Sequence, residues 1–207
     1  MADYKDIKYN VDYSETSGAG GLIKITSNHQ ATTDSDDGAA AMDFTTGIDS
    51  TYDVYMFQLQ GCIPVGSNTL QFQVDTGTNT NYNITNTSVK NSFFHANDNS
   101  QVGHSGHEGS NDSDTNFCTI GTPQKGSSFN RGAVSGYVIL YNPSSTVFEK
   151  HWLAKISGAG AAGSAHFVED YETAGYFQTT TALTRVRFKY SSGAIDGGRI
   201  TMFGMVK

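Results

Sequence analysis

The chain has 207 residues, of which 16% are charged, and 20 acidic against 13 basic residues give a net charge of −7. That length suits one β-sandwich or barrel with a substantial core. A net acidic chain lacks the basic footprint of nucleic-acid-binding proteins, so we expect no nucleic-acid partner. No apolar run approaches the ~20 residues of a membrane-spanning helix, and the polar start does not resemble a signal peptide, so we expect no membrane insertion.

The composition predicts an all-β fold. The chain contains 23 Gly, 12 Phe and 11 Tyr but only 3 Pro and 1 Trp. Aromatic and β-branched residues suit half-buried strands, while Gly, Asn, Asp and Ser suit tight turns. We find no convincing long amphipathic helix.

The chain opens with a polar segment, residues 1–21, that ends in Ser17-Gly18-Ala19-Gly20-Gly21. This pattern predicts an N-terminal arm that docks on a partner or acts as a linker. Residues 22–207 then form one β-sandwich domain. It begins with a short strand around residues 22–25, and the polar residues 27–41 predict a loop.

The first half of the domain gives strong strand signals. Residues 52–59 are apolar on both faces, as in a central strand, and residues 70–74 alternate between apolar and polar side chains. Residues 75–87 predict either an edge strand or a long loop. Residues 95–116 almost lack large apolar groups and predict the longest loop, of the kind that is functional or mobile.

The second half is a regular series of short strands. We predict them at residues 134–141, 147–156, 165–171, 175–179, 183–190 and 199–206. Phe148, Trp152, Ala154 and Ile156 share one face, which places the tryptophan in the core. The Gly/Ala/Ser-rich residues 157–164 predict a loop, and 191–198 a turn. Eight or more such strands favour a jelly-roll-like antiparallel β-sandwich, although the strand order is not readable from the pattern.

Strand 183–190 should point Val186, Phe188 and Tyr190 inward and basic side chains outward. The predicted basic face consists of Arg185, Arg187, Lys189 and Arg199. Residues 181–207 carry a local charge of +4, which leaves −11 on the rest. We expect this face to oppose acidic loops within one subunit or across a subunit interface, with contact to a phosphate or anionic glycan as the alternative.

The histidines and acidic residues between 95 and 114 are candidates for metal or ligand binding. His104 and His107 are three apart and precede Glu108, but nearby glycines disfavour the helix of a His-Glu-x-x-His zinc site. Asp112 and Asp114 belong to a run like the first half of a calcium loop, without its Gly and distal Glu. We expect no cofactor; the alternative is Ca²⁺ or another divalent ion at His104, His107, Asp112 and Asp114. The predicted binding loop comprises Tyr82, His95, His104, His107 and Glu108.

Catalytic signals are weak. There is no Gly-x-Ser-x-Gly elbow and no phosphate-binding glycine loop. Cys62 and Cys118 have neither a metal nor a redox spacing and are candidate buried thiols. Five carboxylates, Asp53, Glu149, Glu169, Asp170 and Glu172, would become a glycosidase pair only through folding. We therefore expect no enzyme, with a polysaccharide depolymerase as the catalytic alternative.

Three segments resemble a known family. They are FTTGIDSTYD (44–53), SGYVILYNPSST (135–146) and FKYSSGAIDGGRITMFG (188–204). Together they resemble structural proteins of marine tailed bacteriophages, in which a Ser-Gly-x-Ile-Asp-x-Gly turn precedes the closing strand. The resemblance covers roughly residues 44–60 and 134–207 and carries no catalytic residues.

The resemblance implies a virion component that is made in the host cytoplasm. We expect a tail fibre or appendage that attaches to the host, with a host surface glycan or surface protein as the candidate partner of the exposed loops; a head-decoration protein is the alternative. The expected partners are further copies of the chain, in a homotrimer, and other virion proteins that meet the N-terminal arm.

Overall fold

The computed structural model describes residues 21–31, 38–106, 111–123, 132–162 and 165–206. The regular structure of these residues is entirely β. Among them there is no helix long and apolar enough to cross a membrane. The predicted arm, apart from Gly21, lies outside the described residues. The strands are β1 (Leu22–Gln30), β2 (Met42–Phe44), β3 (Val54–Pro64), β4 (Leu70–Thr76), β5 (Asn86–Ala96), β6 (Val102–Gly106), β7 (Asp112–Asp114), β8 (Cys118–Gly121), β9 (Val134–Tyr141), β10 (Lys150–Ala162), β11 (Ala165–Phe177), β12 (Leu183–Tyr190) and β13 (Ile195–Met205).

The strands form two antiparallel sheets. The long sheet has the order β1-β13-β3-β9-β10-β11-β5-β6, with β7 also paired to β5, and the short sheet has the order β2-β12-β4-β8. This arrangement confirms the predicted antiparallel β-sandwich. The set β1-β13-β3-β9 opposite β2-β12-β4-β8 has an order compatible with a jelly roll. Strands β5–β7 and the β10–β11 hairpin are insertions into that set, and both extend the long sheet.

Aromatic rings fill the space between the sheets. The Phe72 ring lies 4.7 Å from Trp152 and 5.8 Å from Phe188, and Phe57 lies 5.2 Å from Phe44 and 5.5 Å from Phe188. Such pairs add ~0.5–1.5 kcal/mol each beyond the burial of their area. Trp152 is 2% exposed, which confirms its predicted place in the core.

Two predicted loops are partly strand. Strand β1 continues through residues 27–30 because these pair with β13 as far as Gln30 opposite Gly198. Strand β10 continues to Ala162 and forms a long hairpin with β11. A Cβ on Gly158 would lie 3.4 Å from the Tyr171 ring and from Val134, so this position packs closely against its neighbours. The small residues of this stretch therefore belong to a paired strand and do not mark a loop.

The prediction of an inward-facing Phe148 is wrong. Phe148 is 68% exposed and precedes β10, which begins at Lys150. The hydroxyl of Ser145 accepts the N–H groups of Val147 and Phe148 at 3.1 and 3.0 Å and holds a turn there. The buried Lys150 ammonium donates to the carbonyls of Phe148 (2.6 Å) and Thr179 (3.2 Å).

The predicted long loop at 95–116 also contains strands. Strand β5 runs to Ala96, and β6 pairs with it to form a hairpin at the edge of the long sheet. The turn is held by Asp98, whose carboxylate accepts the N–H of Ser100 at 2.9 Å. Because an edge strand forms its ladder through backbone groups, β6 needs few large apolar side chains.

The Ile-Asp motif closes the domain. Ile195 is fully buried and exchanges two backbone hydrogen bonds with Ala39, of 3.0 and 2.7 Å. Strand β13 begins at Ile195, so the turn is shorter than the predicted 191–198. Gly198 has a φ of +119°, and a Cβ there would lie 2.7 Å from the Cα of Cys62 on the neighbouring strand β3. Only glycine fits this close approach.

Candidate functional site

Among the predicted metal ligands that the structure describes, His104 is not brought together with Asp112 and Asp114. His104 lies opposite Phe93 on β5, whereas Asp112 lies opposite Thr87 on the same strand. These positions are six residues apart along β5, which corresponds to roughly 20 Å. His107 and Glu108 lie outside the described residues. In the described part of the chain, no group of three or more His, Cys, Asp or Glu residues is placed to hold a metal ion.

The run that resembles a calcium loop forms a turn. One carboxylate oxygen of Asp114 accepts the backbone N–H of Asn116 and the other accepts its side-chain amide, both at 2.9 Å. Ser113 occupies the left-handed region with a φ of +58°. Both Asp114 oxygens are therefore engaged within the turn.

His95 and His104 are exposed on the outer face of the long sheet, at the β5–β6 end. The His104 ring lies 6.1 Å from the Phe93 ring, and His95 stands in register between Val102 and Val168. The three apolar neighbours are themselves 48%, 72% and 53% exposed. These two histidines thus belong to an exposed patch with apolar neighbours.

Tyr82, which we predicted as part of the binding loop, is not an exposed side chain. It is only 2% exposed. Its backbone N–H donates to Asp75 at 2.8 Å, and the Arg187 guanidinium lies 4.2 Å from the centre of its ring. The Tyr82 ring packs under Arg187 of β12, and Tyr82 anchors the connection between β4 and β5. Tyr176 is half-buried on the long sheet, 5.7 Å from the His151 ring.

The four predicted basic residues do not form one face. Arg187 makes a two-pronged ion pair with Asp43, with distances of 2.7 and 2.5 Å, and this hydrogen bonding raises the pKa of Arg187. Arg185 donates to the carbonyl of Gly77 at 3.2 Å. Lys189 lies over the Phe117 ring at 4.3 Å. Arg199 is on β13, in the other sheet. For Arg187 the acidic partner therefore lies within the same subunit.

Both cysteines are buried free thiols. Burial raises the pKa of Cys62 to about 12 and raises that of Cys118 well above its usual value. Their thiols are therefore protonated at neutral pH, which disfavours nucleophilic or redox chemistry.

Two of the five candidate carboxylates meet, at a lysine. The Lys155 ammonium contacts Asp170 at 2.8 Å and Glu172 at 2.5 Å on the outer face of the long sheet. Glu169 is on the opposite face of β11, where it accepts a hydrogen bond from the Tyr171 hydroxyl, and burial raises the pKa of Glu169. The arrangement of Asp170 and Glu172 is an ion-pair cluster, without a cleft between two carboxylates.

An apolar row crosses the outer face of the long sheet, and the sequence patterns did not reveal it. Its members are neighbours in register on six adjacent strands. We call this row the apolar belt: Phe203, Met56, Ile139, Leu153, Ala174 and Val89. At ~4.8 Å between strands it spans roughly 24 Å. Leu153 is 37% and Val89 is 45% exposed, and Met205 at 40% extends the apolar surface on one side.

A polar cleft of about 520 Å³ lies on the outer face of the short sheet. Its floor is the register row Lys189, Gln71 and Thr119 on β12, β4 and β8. One wall is residues 81–83 and the other is residues 114–117. We call this feature the polar cleft. Part of one wall, Tyr82, was among the predicted binding residues; the floor was not.

Comparison of the chain with protein-family models, with curated proteins and with solved structures gave no match in any of the three.

Proposed function

We propose that the chain is a non-enzymatic structural protein on the surface of a bacteriophage particle, where it self-associates into a homotrimer and attaches to the host. The observation that carries the assembly part of this proposal is the apolar belt. Exposed apolar surface that is contiguous across neighbouring strands marks a candidate site of protein association. The phage assignment rests on the resemblance of residues 44–60 and 134–207.

The form of the belt favours association between copies. It lies on strands whose backbone groups are already paired within the sheet, so it offers flat side-chain contact and no free strand edge. In a homotrimer the contact is head-to-tail, so one half of the belt on each copy would meet the other half of the belt on the next copy around the three-fold axis. The short sheet then points away from the contact, and this orientation favours attachment over shell decoration because it leaves the polar cleft accessible.

The oligomer is tested by sedimentation velocity on two matched variants. The wild-type chain should sediment at about three times its 22.2 kDa mass. Leu153→Lys should shift it towards monomer, because a charge in the middle of the belt would be desolvated on association. Val147→Lys is the control, since Val147 is 70% exposed and lies off the belt. A wild-type monomer at tens of micromolar, or equal behaviour of the two variants, would remove the belt from the proposal.

The virion assignment needs a separate test. Antibodies raised against the purified chain should decorate intact phage particles in negative-stain micrographs, on the tail if the protein is an appendage and on the head if it is a decoration protein. Purified particles that contain no peptide of this chain by mass spectrometry would overturn the assignment.

A further inference from the structure

The carboxamides around the polar cleft divide into two groups. Those that are buried beneath the loops are engaged: the Gln73 amide donates to the carbonyls of Ile84 and Asn116, both at 3.1 Å, and that of Asn111 donates to Asn86 at 2.7 Å. Three carboxamides of the cleft behave differently. Within the described residues, the side chains of Gln71, Asn81 and Asn83 make no hydrogen bond.

These free carboxamides define the chemistry of a ligand. Each carboxamide offers two N–H donors and one carbonyl acceptor. It is therefore complementary to a ligand group that both donates and accepts hydrogen bonds. Vicinal hydroxyls of a sugar are such groups. The half-buried Phe117, one face of which is covered by the Lys189 ammonium, adds apolar ring carbons to one wall, and the C–H groups of a sugar can pack against them.

The charges of the cleft favour an uncharged ligand. Its cation is Lys189, which is placed over the Phe117 ring, and its carboxylate is Asp114, whose oxygens are already engaged by Asn116. The nearby Arg187 is neutralised by Asp43. The cleft therefore has no excess of positive or negative charge that would select an ionic ligand.

The walls are held in place before any ligand arrives. Gln73 joins the two walls. Its side-chain amide donates to the carbonyl of Ile84, directly after the wall at residues 81–83, and to the carbonyl of Asn116, within the wall at residues 114–117. Tyr82 holds a φ of +48°, which is unusual for a bulky side chain, and is fixed by Asp75 and Arg187. Strained residues of this kind cluster at ligand sites. A pre-organised cleft loses less freedom on binding.

We infer that the polar cleft binds a neutral saccharide. The volume of about 520 Å³ lies within the ~300–1,000 Å³ of small-molecule sites. Recognition runs through Gln71, Asn81 and Asn83, with the ring of Phe117 as the apolar contact. This inference rests on the proposed attachment role, for which it names the class of ligand. The proposed homotrimer would carry three clefts, and several weak contacts to one host surface would multiply.

The test uses the full chain on a printed array of neutral hexose and N-acetylhexosamine oligosaccharides, with uronic-acid and sialic-acid oligosaccharides as the charged comparison. The wild-type chain should bind neutral members of the array. The double variant Gln71→Ala/Asn83→Ala should lose about tenfold or more in affinity, since it removes two hydrogen-bonding groups. The control Gln60→Ala/Gln101→Ala removes two exposed carboxamides outside the cleft and should bind like wild type.

Lys189→Gln separates neutral from anionic recognition. It should change binding of the neutral oligosaccharides less than threefold. Binding confined to the charged oligosaccharides and abolished by Lys189→Gln would overturn the inference. So would an array without any bound member, or equal loss in the cleft variant and its control. Sedimentation of the same samples keeps the two proposals apart. If the chain is a trimer and antibodies against it label virions, but it binds no saccharide, the proposed function stands and this inference fails.

Discussion

Gln73→Ala should loosen both walls of the polar cleft and destabilise the protein. Gln73 is fully buried and donates two hydrogen bonds of 3.1 Å, to the carbonyls of Ile84 and Asn116. A net ~1 kcal/mol for each bond, with a further contribution from the cavity left behind, gives about 3 kcal/mol. For a chain of this length that loss lowers Tm by roughly 6–12 °C.

Urea unfolding followed by circular dichroism measures this loss, and Gln71→Ala is the matched control. Gln71 lies two residues earlier on the same face of β4 but makes no hydrogen bond with any described residue, so its removal should cost under about 0.5 kcal/mol. If Gln73→Ala costs no more than Gln71→Ala, Gln73 does not anchor the walls.

The stability of the Gln73→Glu variant should depend on pH. The carboxylate keeps the shape of the side chain but places a buried negative charge beside two carbonyls, so its pKa in the folded state should rise above that of the unfolded chain. A raised pKa makes the folded state most favourable at low pH, and stability is lost as the pH rises through the folded-state pKa. The variant should therefore lie closer to wild type at pH 4 than at pH 7. A gap that is constant with pH would contradict this reasoning.

Three further perturbations test other parts of the structure. Glu169→Gln should stabilise the protein at neutral pH, because burial raises the pKa of Glu169 and its charged form is disfavoured there; the gain should vanish below the ordinary glutamate range in a Tm-against-pH series. The thiols of Cys62 and Cys118 should react with an aromatic disulfide reagent at pH 8 only after unfolding, and rapid labelling of the native protein would disprove their burial. Gly136→Ala should abolish soluble expression, since a Cβ there would lie 2.1 Å from the carbonyl oxygen of Lys155 at a φ of +152°; a folded variant would show that the strands can separate.

The sheet architecture was predictable because alternation along a strand follows directly from which face is buried. Val186, Phe188 and Tyr190 point inward as their period of two requires, and the buried Trp152 follows from the same rule. The sequence pattern is less informative at edges and in hairpins. Strand β6 and the end of β10 are held by backbone ladders and contain small residues, so they resemble loops when only side chains are considered.

The candidate surfaces were less predictable because each is assembled from distant segments. The belt is a row across six strands, so no stretch of sequence displays it. The expected basic face failed for the same reason: Arg185, Arg187 and Lys189 share one strand, but the position of Asp43 beside Arg187, and of Arg199 in the other sheet, depends on pairing that spacing does not reveal. Tyr82 was misjudged because a polar sequence around it does not show that its ring packs under a guanidinium.

Both candidate surfaces depend on the two insertions into the jelly-roll-compatible set of strands. The β10–β11 hairpin and β5 supply Leu153, Ala174 and Val89, which form half of the apolar belt. The segment from β7 to β8 supplies the wall of the polar cleft that faces the loop at residues 77–85. The eight strands of the set provide most of the aromatic core, to which the β10–β11 hairpin adds Trp152 and Phe177, and one misplaced volume there costs several kcal/mol. The outward-facing side chains of the insertions add surface. Changes at outward-facing positions of the insertions should therefore alter association or ligand preference at little cost in stability. Changes at core positions, in the set or in the β10–β11 hairpin, should first appear as lost folding.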